Sequence, residues 1–124
     1  MGGKVAQRKK EMEQNLSLKQ KIYQYIFANI EKGIPSIEDV AFALNMGVSS
    51  LKKHLNNENT NYTHVMDAVR KDVALKLMSD PMKPILDIAT YLGFSNASTF
   101  NRAFKRWMNM TPASYRKNCL VSKP

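Results

Sequence analysis

Cysteine is nearly absent: Cys119 is the only one in 124 residues. A lone thiol excludes a disulfide framework and a cysteine metal site, and leaves Cys119 an inert thiol rather than a nucleophile. Long apolar runs are missing too, so no segment approaches the length of a membrane span. The N-terminus is polar and lacks a signal-peptide pattern. These absences favour a reducing cytoplasm. Histidine occurs twice, as His54 and His64, and neither has metal-ligand companions. No Ser-His-Asp or Cys-His arrangement is present, and the carboxylates are scattered. Arg70 with Asp67 or Asp72 reads as a structural ion pair. The chain is therefore read as a non-enzyme without cofactor or metal. Acidic residues stop early: Asp87 is the last, and Arg102, Lys105, Arg106, Arg116, Lys117 and Lys123 follow it. Six of the nine net positive charges thus fall in residues 88–124. With a pI near 9.8, the balance points to a polyanionic partner.

What the chain does contain is a repeat. Ile37, Asp39, Val40, Ala41 and Leu44 align with Ile85, Asp87, Ile88, Ala89 and Leu92 at an offset of 48. Leu51 and Leu55 align with Phe100 and Phe104 at an offset of 49, so the second copy has one more residue in its turn. Each copy has the form of a helix-turn-helix, and two of them in one basic chain point to DNA read at two places.

The pattern along the chain is helical throughout, with no sustained period-2 alternation. Residues 1–16 read as a linker, with few apolar anchors. Ser17 and Gln20 form a capping-box signal for a first helix over 18–32, on which Ile22, Ile26 and Ile30 recur at i, i+4. Gly33 and Pro35 stop it. Ser36 caps a second helix near 37–44, and Asn45 suits a left-handed turn position. Gly47 caps a third helix from Val48, carrying Leu51 and Leu55 inward. Residues 56–61 are rich in Asn and interrupt the helical period. Val65, Val69, Val73 and Leu77 then mark a helix of about 17 residues, roughly 25 Å long, which suits a rigid connector. Pro81 ends it and Pro84 opens a fifth helix near 85–92 as a first-turn proline. Gly93 lies in the next turn, and Ser95 caps a sixth helix near 96–108 with Phe100, Phe104 and Trp107 inward. Thr111 and Pro112 cap a short seventh. The expectation is an all-α fold of seven helices: a first helix-turn-helix subdomain at 17–61, a connecting helix at 62–80, a second subdomain at 81–119 and a tail at 120–124.

The run Gly93-Phe94-Ser95-Asn96-x-Ser98-x-Phe100-x-Arg102-x-Phe104-Lys105, followed by Thr111-Pro112-x-x-Tyr115-Arg116, closely resembles the second half of an AraC/XylS-type DNA-binding domain. Ser49-x-Leu51-x-Lys53-x-Leu55 sits where that family has its first recognition helix. Arg70, Ala74, Leu77 and Met78 match its connecting helix. The resemblance covers about residues 18–118. The chain departs from the family's habit at Lys53, where Arg is common, at Asn109, where Gly is common, and at Gly47, where a Ser cap is usual.

The resemblance implies base-reading positions at Ser49, Lys52 and Lys53 in the first motif, and at Ser98, Thr99 and Arg102 in the second. The chemistry agrees: Arg and Lys donate to guanine O6 and N7, and Thr offers a methyl group to thymine. Asn56, Asn96, Lys105 and Arg106 are expected on phosphates, Asn96 with the help of open backbone N–H groups. The expected function is sequence-specific binding of double-stranded DNA by a bacterial transcription regulator, an activator that recruits RNA polymerase, located in the cytoplasm at the nucleoid. Any oligomerisation is expected through a domain absent from this chain. The alternatives are the DNA-binding module of a recombinase or transposase, and a helical RNA- or protein-interaction domain.

Overall fold

A computed structural model describes residues 16–122, with side chains through residue 119. The sequence-based linker at 1–16 therefore lies almost wholly outside the described residues. Seven α-helices and no strands occur among those described: α1 (Leu18–Asn29), α2 (Ile37–Ala43), α3 (Val48–Asn57), α4 (Tyr62–Met78), α5 (Ile85–Tyr91), α6 (Ala97–Met108) and α7 (Pro112–Ser122).

Helix starts follow from short polar side chains satisfying open N–H groups. Ser17 Oγ accepts from Gln20 N at 3.3 Å, and Gln20 Oε1 accepts from Ser17 N at 2.9 Å. Ser36 and Asp39 repeat this reciprocal box at α2. A further cap comes from far along the chain. The Glu58 carboxylate accepts from Leu18 N at 2.9 Å and Lys19 N at 3.1 Å, fastening the end of α3 to the start of α1. A 3-10 turn, Ile30–Lys32, closes α1 before Gly33.

Four expectations change. Asn96, not Ser95, caps α6, its Oδ1 accepting from Thr99 N at 2.8 Å. The reason is the extra residue in the second turn: at the 49-residue offset of the recognition helices, Gly47 corresponds to Asn96. Pro84 stands at the N-cap of α5, one residue before the first helical position. Helix α7 runs to Ser122, into the expected tail, because no breaker interrupts residues 113–122. Arg70 forms no hydrogen-bonded pair with Asp67 or Asp72. Asp72 accepts from the Tyr23 hydroxyl, and Asp67 pairs with Arg106.

The core follows the apolar stripes. Ile22, Ile26 and Ile30 of the first helical segment join Val65, Val69, Val73 and Ala74 of α4 in one cluster, which continues through Leu51 and Leu55 to Phe100 and Phe104. Helix α1 packs on α4 more extensively than any other pair. Burial of these side chains is the main favourable contribution to such a fold, about 1.5–3 kcal/mol for each fully buried large aliphatic or aromatic group.

Candidate nucleic-acid interface

The two helix-turn-helix motifs are built on the same hydrogen bonds. In the first, Met46 N donates to Ala41 O at 2.9 Å and Asn45 N to Phe42 O at 3.1 Å. In the second, Phe94 N donates to Ala89 O at 3.0 Å and Gly93 N to Thr90 O at 3.0 Å. Both are Schellman closures, which require a left-handed residue just past the helix end. Asn45 meets the requirement at φ 56° and Gly93 at φ 84°. Ala41 and Ala89 are buried where the following helix crosses, and a larger side chain there would hold the helices apart.

Each second helix of a motif buries one face and presents the other. On α3, Leu51 and Leu55 are fully buried, while Ser49, Lys52, Lys53 and Asn56 are exposed. On α6, Phe100 and Phe104 are fully buried, while Ser98, Arg102, Lys105 and Arg106 are exposed. Phe104 meets Phe100 and Tyr115 edge-on at centroid distances of 5.8 and 5.6 Å, so the aromatics of α6 serve packing. They are not a stacking platform for single strands. Trp107 is only half-buried, and its indole N–H is enclosed without an acceptor.

Some candidates are already engaged. The Thr99 hydroxyl donates to Asn96 Oδ1 at 2.8 Å, which leaves Thr99 its methyl group and Asn96 its Nδ2 donors for other partners. Arg106 Nη2 lies 3.4 Å from Asp67 Oδ2 on the connector. With Arg106 largely exposed, that pair is worth little and a phosphate can compete for it. Arg116, a cation of the acid-free stretch, is turned to an internal contact. It is half-buried and donates to Lys83 O at 2.7 Å, bracing the loop before α5.

Beside α3, Lys52 and Asn56 line an open groove with Thr60 and Asn61 of the following turn and Thr63 and His64 of α4. Sequence reasoning did not join these segments. The link is the turn after α3, where Asn59 at φ 61° sends the chain back: Thr60 N donates to Leu55 O at 3.0 Å. The Asn-rich composition of 56–61 was the available signal.

Two motifs sharing hydrogen bonds, each with an exposed cationic helix and joined by one long helix, define a tandem helix-turn-helix protein. The family described as "Helix-turn-helix domain" matches residues 40–118. An ornithine utilization regulator of Pseudomonas aeruginosa is 39% identical over 83 residues, covering 67% of this chain and 24% of that protein. A urease operon transcriptional activator of Escherichia coli is 34% identical over 80 residues, covering 64% of this chain and 27% of that protein. A crystal structure of a DNA-binding transcriptional dual regulator from Escherichia coli K-12 superposes with a TM-score of 0.79 at 27% identity, covering 84% of this chain and 99% of that one. The chain belongs to the AraC/XylS-type helix-turn-helix family of DNA-binding transcription regulators. It spans about a quarter of the length of the two curated relatives named.

Proposed function

We propose that the domain places α3 and α6 in successive major grooves on one face of a duplex, about 34 Å apart. The observation that carries this reading is the duplicated turn, which presents two chemically different exposed helices from one frame. Because α3 offers Ser49, Lys52 and Lys53 while α6 offers Ser98, Thr99 and Arg102, the site is asymmetric. Asn56, Asn96, Lys105 and Arg106 hold phosphates and set the register. A connector that does not bend obliges the DNA to do so, which adds dependence on the sequence between the half-sites.

The regulator is bacterial, acts in the cytoplasm at the nucleoid, and activates transcription by bringing RNA polymerase to the promoter. The namesake activity of the urease operon activator supports that direction. Any oligomer forms through a further domain of the parent protein. Among the described residues no helix is long and apolar enough to cross a membrane.

Selection of bound sequences from random duplexes tests the proposal. The expected product is one asymmetric motif of two half-sites about 10 base pairs apart. Competition at fixed salt should show the selected duplex displacing label well before RNA does. A symmetric motif, or equal competition by RNA, would overturn the reading.

A further inference from the structure

We infer that Arg70 is a positioning residue for DNA recognition, the pin of a three-way joint that fixes α6 relative to α3. The inference rests on the two-groove reading above. Arg70 lies mid-way along α4 and reaches the turn of the second motif. Its Nε donates to Leu92 O at 3.1 Å, a carbonyl at the end of α5. Its guanidinium carbon stands 4.8 Å from the centroid of the Phe94 ring. Phe94 in turn packs on Phe100 and Trp107 of α6 at 5.4 and 6.2 Å. One side chain therefore grips both the exit of α5 and the aromatic layer under the second recognition helix. The planar guanidinium can bond a carbonyl and stack on a ring together, which an ammonium group does poorly.

The third arm comes from the first motif. A Cβ at Gly93 would lie 2.7 Å from Ile34 Cγ1 and 3.5 Å from Arg70 Nη2, so the turn is wedged between the connector and the loop before α2. That loop is tied to the connector again one residue on, where the Tyr62 hydroxyl donates to Pro35 O at 2.8 Å. The first motif, the connector and the second turn thus meet at Ile34, Arg70 and Gly93. Half-burial lowers the Arg70 pKa through desolvation, opposed by the charges of Asp67 and Tyr62.

A joint of this kind affects half-site spacing more than affinity for either half-site. An inserted base pair moves the second half-site by about 3.4 Å and turns it by about a tenth of a revolution. A fixed frame cannot follow, whereas a loosened one behaves as two tethered readers. The test measures binding to the selected duplex and to versions with one base pair added or removed between the half-sites. Wild type should bind the altered duplexes about tenfold more weakly, within the usual range of coupling between sites. Arg70→Met keeps the stem but loses the bond and the charge. It should shrink that ratio to about threefold or less, with Arg70→Lys between the two, while damage to either half-site still weakens binding. Far-UV circular dichroism and a thermal melt establish that each variant is folded. Ile34→Ala opens the joint from the other side and should relax spacing in the same direction; if Arg70→Met does not fold, it and Arg70→Lys carry the comparison. Spacing dependence as strict in the folded variants as in wild type would overturn the joint. Indifference to spacing in wild type itself would instead remove the two-groove reading, and the joint with it.

Discussion

Arg102 stands on the face of α6 opposite Phe100 and Phe104, both fully buried. An arginine there can form two bonds to one guanine. Arg102→Ala should therefore cost about 1–3 kcal/mol of specific binding and relax preference at one base position. A binding series over single-base variants checks this; unchanged affinity and preference would remove the assignment. Lys105 and Arg106 are exposed one turn after Arg102, and the proposal gives them phosphate contacts. Each alanine variant should weaken specific and non-specific duplexes alike, lowering the salt slope by about 0.9 per lost phosphate contact. A loss confined to one base position would move that residue into the reading set. Tyr62 carries a different dependence. Burial, reinforced chiefly by the Asp39 carboxylate, pushes its hydroxyl up to about 12. The folded chain holds this proton more tightly than the unfolded one, whose tyrosine titrates near 10. The resulting stabilisation is complete below about pH 10 and is lost as pH rises towards about 12. Tyr62→Phe should lose about 1 kcal/mol at neutral pH with the bond to Pro35 O. It should also show a shallower alkaline decline in melting temperature; an unchanged slope would contradict the assignment.

The helices themselves depend on their ends. The Asn96 side chain satisfies the Thr99 amide and fixes the Thr99 hydroxyl, so Asn96→Ala should destabilise the domain by about 1 kcal/mol. It should also weaken specific binding, because Ser98, Thr99 and Arg102 all follow that cap. A denaturant titration and the selected duplex measure the two effects; stability and affinity both unchanged would show that the cap is not needed. Element identity was legible because apolar residues recur at helical spacing and short polar residues precede them. The connector, α4, begins at Tyr62 as the period indicated. The exposed and buried faces of α3 and α6 were legible for the same reason. Partners were not, and ends only in part. Ser95 and Asn96 are both good caps, and the 49-residue offset, itself readable in the sequence, is what selects Asn96. The ties of Glu58 to the α1 amides, of Arg70 to Leu92 O and of Arg106 to Asp67 join residues at least 22 positions apart. Periodicity carries no information about such pairs, because they depend on how the helices pack. Arg70 did match the connecting-helix pattern, but a pattern match does not reveal that its partner is a backbone carbonyl rather than a carboxylate.

At the scale of the whole molecule, the two halves differ in charge but share one frame. The exposed face of α3 has Lys52 and Lys53, whereas that of α6 has Arg102, Lys105 and Arg106 in a stretch without acids. Asp67 lies 3.4 Å from Arg106, so part of that second charge is shared with the connector until a phosphate competes for it. The C-terminal motif should still supply more of the electrostatic attraction, while the N-terminal motif can contribute as much or more base discrimination. Footprinting on the selected asymmetric site separates these contributions by comparing Lys52→Ala/Lys53→Ala with Lys105→Ala/Arg106→Ala. The second pair should lower affinity more at moderate salt, and raising the salt should narrow the gap, since about two counterions fewer are released by that variant. In both variants protection of the two grooves should fade together. One apolar cluster runs from Ile22 to Phe104, and with the Arg70 joint intact it should keep either motif from staying bound while the other swings away. If either pair erased only its own half of the footprint at equal affinity loss, the motifs would be independent readers on a flexible tether, and the packing of Val65, Val69 and Val73 would serve stability without fixing the reading frame.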